Sequence, residues 1–131
     1  MILVVDSDAV MRGCVARVCE STGREVRECD NVIEAMGVID EVGVAEGGDE
    51  RGDGGRMKAV ELIFLEVMLA GPDGFTFLNE LASYPDTGRV PVVLVTELSL
   101  GGEDLAAYGV AGVLDKETMR PEEVREYVER Y

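Results

Sequence analysis

The chain has 131 residues, 47% of them apolar and only 5% aromatic, with 27 acids against 12 bases and a formal charge of −15. That length suits one domain with a sizeable aliphatic core, and that charge argues against nucleic acid or an anionic membrane as a partner. Histidine is absent, which excludes Ser-His and Cys-His catalysis and histidine metal sites, and no apolar run approaches the roughly 18 residues of a membrane span.

Met1–Val5 is a continuous apolar run that meets Asp6 at once and lacks a basic flank, so it reads as a buried strand and not as a signal peptide. Asp6-Ser7-Asp8 offers a helix cap, and Val10, Met11, Cys14, Val15, Val18 and Cys19 then recur at helical spacing until Thr22-Gly23. Glu25–Cys29 alternates, as an edge strand does, and Asp30 or Asn31 caps a second helix with Val32, Ala35, Met36 and Ile39 inward. Three cysteines without C-x-x-C spacing, two of them in the first helical stripe, read as buried reduced thiols of a cytoplasmic protein.

The segment Gly43–Lys58 breaks the rhythm, with six glycines and seven charged residues in sixteen, and is expected to be a flexible insertion. It contains Arg51-Gly52-Asp53, a tripeptide that resembles integrin ligands but is expected by chance in so Gly- and Asp-rich a stretch. Glu61–Leu65 is a second buried strand, closed by Glu66, and Gly71-Pro72-Asp73-Gly74 turns into a helix burying Phe75, Phe77, Leu78 and Leu81. Val90–Val95 is a further apolar strand ending at Thr96. Asp104–Tyr108 is a short helix, Val110–Leu114 the last strand, and Pro121 starts a helix with Val124, Tyr127, Val128 and Tyr131 inward. Strands alternating with helices imply an α/β fold with a parallel sheet covered on both faces.

Polar residues stand at the carboxyl ends of four of these strands: Asp6 to Asp8, Glu66, Thr96 and Lys116. In a doubly wound sheet those ends share one rim. Acids there can hold Mg²⁺, a hydroxyl can contact phosphoryl oxygens and an ammonium can neutralise them. Taken singly, Asp8 and Thr96 could equally be helix caps, and Lys116 a solvated charge or a partner for Glu66.

With these motifs the chain resembles the receiver domains of bacterial response regulators, of the CheY type. The resemblance runs through Ile2–Asp8, Leu62–Glu66 with Gly71–Phe75, Pro91–Thr96 and Gly109–Lys116. It implies a single flavodoxin-like domain over residues 1–131 with strand order 2-1-3-4-5. In that family an Asp ending the third strand accepts a phosphoryl group from a histidine kinase, with Mg²⁺ on an acidic pair. The Thr/Ser and Lys of the fourth and fifth strands sense it and move the face that partners read.

The departures carry as much weight. Glu66 occupies the phosphoacceptor position, Ser7 replaces one acid of the pair, and Val113 stands where a switching aromatic is usual. Glu117 replaces the usual Pro after Lys116, Glu97 replaces a small residue after Thr96, and the interval to Gly109 is short. A glutamate places its carboxylate one methylene further out, where phosphoryl oxygens would sit, able to accept from Thr96 and to pair with Lys116. The expectation is a phosphorylation-independent pseudo-receiver, not an enzyme, acting through a protein partner such as a histidine kinase or an output protein. The metal position at Asp6, Glu66 and Met68 would hold Mg²⁺ weakly if at all, and plain decay of the site makes the same prediction of phosphorylation independence. Two alternatives stand beside it. One is a phosphorelay receiver using Asp8 as substitute acid. The other rests on Asp6-Ser7-Asp8-Ala9-Val10, which is similar to the nucleophile motif of haloacid-dehalogenase-type phosphatases, with Asp6 as nucleophile. The partner, the pathway and the oligomeric state stay open.

Overall fold

The computed structural model describes residues 1–45, 59–100 and 102–131, with side chains left aside at 102–104. The expected insertion at 43–58, with its Arg51-Gly52-Asp53, lies outside the described residues from 46 onward. Its described flanks are pinned together: Val44 and Val60 form an isolated parallel bridge, and the Ala45 N–H donates to the Val60 carbonyl at 2.8 Å.

The elements alternate as the sequence pattern requires. They are β1 (Ile2–Val5), α1 (Ala9–Ser21), β2 (Val26–Cys29), α2 (Val32–Val42), β3 (Leu62–Leu65), α3 (Gly74–Ala82), β4 (Val92–Thr96), α4 (Gly102–Tyr108), β5 (Gly112–Asp115) and α5 (Pro121–Arg130). The strands form one parallel sheet in the order β2-β1-β3-β4-β5. This is the doubly wound, flavodoxin-like arrangement.

The three central strands are buried on both faces, and successive side chains divide between them. Leu3, Val5, Ile63, Leu65 and Leu94 face α2 and α3, while Ile2, Val4, Leu62, Phe64, Val93 and Val95 face α1 and α5. The edges are more polar: Arg27 and Glu28 of β2 are both exposed, so this strand is an edge strand as expected but does not keep the strict alternation read from its sequence. No described helix is long and apolar enough to cross a membrane.

Local chemistry sets the boundaries. Asp8 caps α1 by accepting from the Val10 and Met11 amides, Asn31 caps α2 through the Glu34 amide, and Asp73 caps α3 through the Thr76 amide. β4 starts two residues later than its apolar run, because Val90 closes a 3-10 turn over Thr87–Arg89 and Pro91 has no N–H to give the ladder. β5 likewise starts at Gly112, since the Val110 amide turns back to the Leu105 carbonyl of α4.

Two expectations about α1, one about α2 and one about the last helix need correction, the last because Tyr131, expected inward, lies past the end of α5 and is 42% exposed. α1 packs through Val15, Ala16 and Cys19, a narrower stripe than its apolar pattern, leaving Val10 76% exposed. Cys14 is exposed as well, lining an apolar groove of about 200 Å³ between α1 and α5, so only Cys19 and Cys29 are buried thiols. Burial pushes the Cys19 thiol up to about 12 and that of Cys29 to about 11, which keeps both protonated. On α2, Val38 is buried and Met36 only half-buried.

Candidate functional site

Three side chains meet at the carboxyl rim of the sheet, Asp6, Glu66 and Lys116, each on the first residue past its strand. Their backbones are fixed by continuing the ladder: the amides of Asp6, Glu66 and Lys116 donate to the carbonyls of Cys29, Val5 and Thr96 at 3.0, 3.0 and 3.1 Å. Register therefore aims the side chains with no help from a flexible loop. Arg12 adds a clamp, donating to the Asp6 carbonyl and to Glu28.

Lys116 bridges the two acids. Its Nζ lies 2.9 Å from Asp6 Oδ2 and 2.8 Å from Glu66 Oε1, and all three side chains are under one-tenth exposed. Burial pulls the ammonium down, but hydrogen bonds and charges from Glu66 and Asp6 outweigh it and hold Lys116 above its ordinary 10.5. The remaining oxygens are engaged by backbone. Asp6 Oδ1 accepts from the Asp8 amide at 2.9 Å, and Glu66 Oε2 accepts from the Val67 and Met68 amides at 2.6 and 3.0 Å.

Glu66 is thus a carboxylate in a preformed anion seat of one ammonium and two amides, 5% exposed. The two amides were not legible as donors beforehand; the Gly71-Pro72-Asp73-Gly74 turn hints at them only indirectly. Gly71 takes φ 80°, a left-handed conformation suited to glycine, and turns the chain back into α3. Gly74 then approaches the loop so closely that a Cβ there would lie 2.5 Å from Val67 Cα and 2.8 Å from the Glu66 carbonyl oxygen.

The other sequence-derived residues separate. Thr96 is buried at the rim, its hydroxyl accepts from the Leu98 amide at 3.2 Å, and the Glu66 oxygens are bonded instead to Lys116 and the Val67 and Met68 amides. Ser7 and Asp8 are exposed; Asp8 serves as the α1 cap, and the expected acidic pocket reduces to Asp6. Val113 is half-buried beside Leu94, while the aromatic contact of this region lies elsewhere, between Phe75 and Tyr108 with ring centroids 5.2 Å apart. Lys116 to Glu117 is an ordinary trans bond among described residues without a cis peptide.

These residues fit a divalent cation poorly. Asp6 and Glu66 each already hold the same ammonium, Ser7 supplies no charge, and no group of three acids or thiols converges among the described residues. A nucleophilic Asp6 fits no better, since both its oxygens are engaged and it is 4% exposed.

The geometry matches known structures over almost the whole chain. The receiver domain of NtrX from Brucella abortus aligns with a TM-score of 0.73 and 24% identity, covering 99% of this chain and 96% of that one. The fold is that of a response-regulator receiver domain. The receiver domain of sensor histidine kinase PA1611 from Pseudomonas aeruginosa, solved with magnesium in its active-site cleft, aligns at 0.74 with 20% identity over 99% of this chain and 94% of its own. In sequence, the response regulator PleD of Caulobacter vibrioides is 44% identical over 43 residues, a match spanning 33% of this chain and 10% of PleD. No family model matches the chain.

Proposed function

We propose that this receiver-fold chain is a phosphorylation-independent signalling module, non-enzymatic, that works through contact with a protein partner. The observation that carries the reading is the seating of Glu66. Its carboxylate takes up the Lys116 ammonium and the Val67 and Met68 amides together. Those donors are the kind that would otherwise stabilise an incoming phosphoryl group, and a carboxylate so engaged is a poor nucleophile toward one. Glu66 acts as a resident anion that holds Lys116 in its paired state permanently.

The depleted acid set implies weak Mg²⁺ affinity, and the charge of −15 favours proteins over nucleic acid as partners. A histidine kinase or an output protein of a two-component pathway fits that description. Buried, protonated Cys19 and Cys29 are compatible with a cytoplasmic setting.

Incubation with acetyl phosphate and Mg²⁺, followed by intact mass measurement, tests the reading. The expected result is an unchanged mass. A phosphoryl adduct lost in Glu66→Gln would overturn it, and an adduct mapped by peptide mass spectrometry to Asp8 would replace it with conventional phosphorelay.

A further inference from the structure

The rim around Glu66 is apolar where solvent should favour polarity. Six large apolar or aromatic side chains stand out as exposed among the described residues, and four belong to the carboxyl-end loops or first helical turns: Val10, Ile33, Met68 and Leu98. Met68 and Leu98 line one cleft of about 550 Å³, with Phe75 at its wall. Ile33 lines another of about 490 Å³, with Ser7 and Pro72. Gly71 lines both, so the two clefts are adjacent. Such a concentration marks an interaction surface more than a chance scatter of apolar side chains.

Charge indicates what sits there. Exposed Asp8, Asp30, Asp73 and Glu97 surround the apolar residues. The loops at 6–12, 30–33, 66–73 and 97–100 contain one base, Arg12, committed to Glu28 and the Asp6 carbonyl. The loop at 116–120 adds Lys116, paired with Asp6 and Glu66, and Arg120, which lines the groove between α1 and α5 on the side away from these clefts. The geometry points to a docking site for a protein segment that carries aliphatic anchors flanked by Lys or Arg. The anchors fill the clefts on either side of Gly71, and the basic flanks meet the acidic border. This inference names the partner chemistry for the interaction role proposed above and therefore rests on it. It does not depend on whether Glu66 accepts phosphate, because the clefts are formed by side chains outside the Lys116 cluster.

The test uses three synthetic peptides of one length, titrated into isotope-labelled chain and followed by amide NMR shifts. One combines Leu with Lys, one places Ser at each Leu position, and one places Glu at each Lys position. The Leu/Lys peptide is expected to shift amides around Val10, Ile33, Met68–Asp73 and Leu98, at least tenfold more tightly than either of the others. The variants Met68→Ser and Leu98→Ser, both at exposed positions, should each weaken it several-fold. Equal binding of the Ser/Lys peptide would reduce the effect to general attraction by an acidic protein and overturn the inference. Shifts centred on another face, or unchanged affinity in both variants, would also overturn it. A phosphoryl adduct on Glu66 with rim binding intact would remove the proposed phosphorylation independence and leave the docking site standing.

Discussion

Two three-membered ion clusters sit at opposite ends of β3, built the opposite way round. At the amino end Glu61 is one anion shared by two cations, the Met1 amine at 2.6 Å and Arg24 at 3.1 Å. At the carboxyl end Lys116 is one cation shared by two anions at 2.8 and 2.9 Å. The distances hardly differ; the surroundings do, since the Glu61 side chain is 38% exposed and that of Lys116 7%. Exposed pairs are typically worth about 0–1 kcal/mol, because water competes for both partners. A buried pair adds little net stability yet is expensive to break, since the partner left behind stays charged and dry. The amino-end cluster is a tolerant clasp that also ties Arg24 to the Val128 carbonyl of α5. The carboxyl-end cluster is an all-or-none arrangement.

The largest expected effect is therefore Lys116→Met. It leaves Asp6 and Glu66 buried with no cation between them, and urea denaturation should show a loss of about 3–5 kcal/mol. A loss near that of an exposed pair would mean the two clusters are equivalent after all.

The pH response should separate them by direction. Lys116 is held above its ordinary 10.5, so its contribution is complete below that value and is lost as pH rises through the folded pKa. Glu61 is shifted the other way. Burial raises it, but the hydrogen bond and charge of the Met1 amine, with Arg24, outweigh that and hold it below 4.5. Its contribution is present above 4.5 and disappears as pH falls through the folded pKa. Stability curves should show Lys116→Met removing the alkaline loss that Lys116 deprotonation causes.

The smallest effect belongs to Glu61→Gln, expected to cost at most about 1 kcal/mol at neutral pH and to soften only the acid limb. A cost comparable with Lys116→Met would show that exposure is a poor guide to the worth of these clusters.

Much of the fold was legible because its signals are local. Val and Leu runs without polar interruption mark β1, β3 and β4, and Asn31, Asp73 and Pro121 announce their helices. Glu66 and Lys116 were legible as strand-end residues, and parallel register does the work of bringing them together. What escaped depends on distances no pattern encodes. The return of Glu66 Oε2 to the amides of residues 67 and 68 follows from the length of one side chain within one turn. Thr96 accepts from the nearby Leu98 amide, and the Glu66 oxygens are bonded to other donors. Val10 and Cys14 share the helical spacing of buried residues, but Val10 is left in solvent and Cys14 lines an open groove beside α5.

The close approach of Gly74 to the Glu66–Val67 peptide has a mechanical meaning. There is no compressible side chain between the first turn of α3 and the carbonyl of Glu66. The Gly74 amide is also bonded to the Val67 carbonyl at 2.8 Å, so the two backbones are joined as well as touching. Interiors packed this tightly transmit displacement and do not absorb it. Helix α3 is therefore joined without slack to the peptide that follows Glu66. Its inward residues Phe77, Leu78 and Leu81 continue that rigid contact into the core on the same face of the sheet.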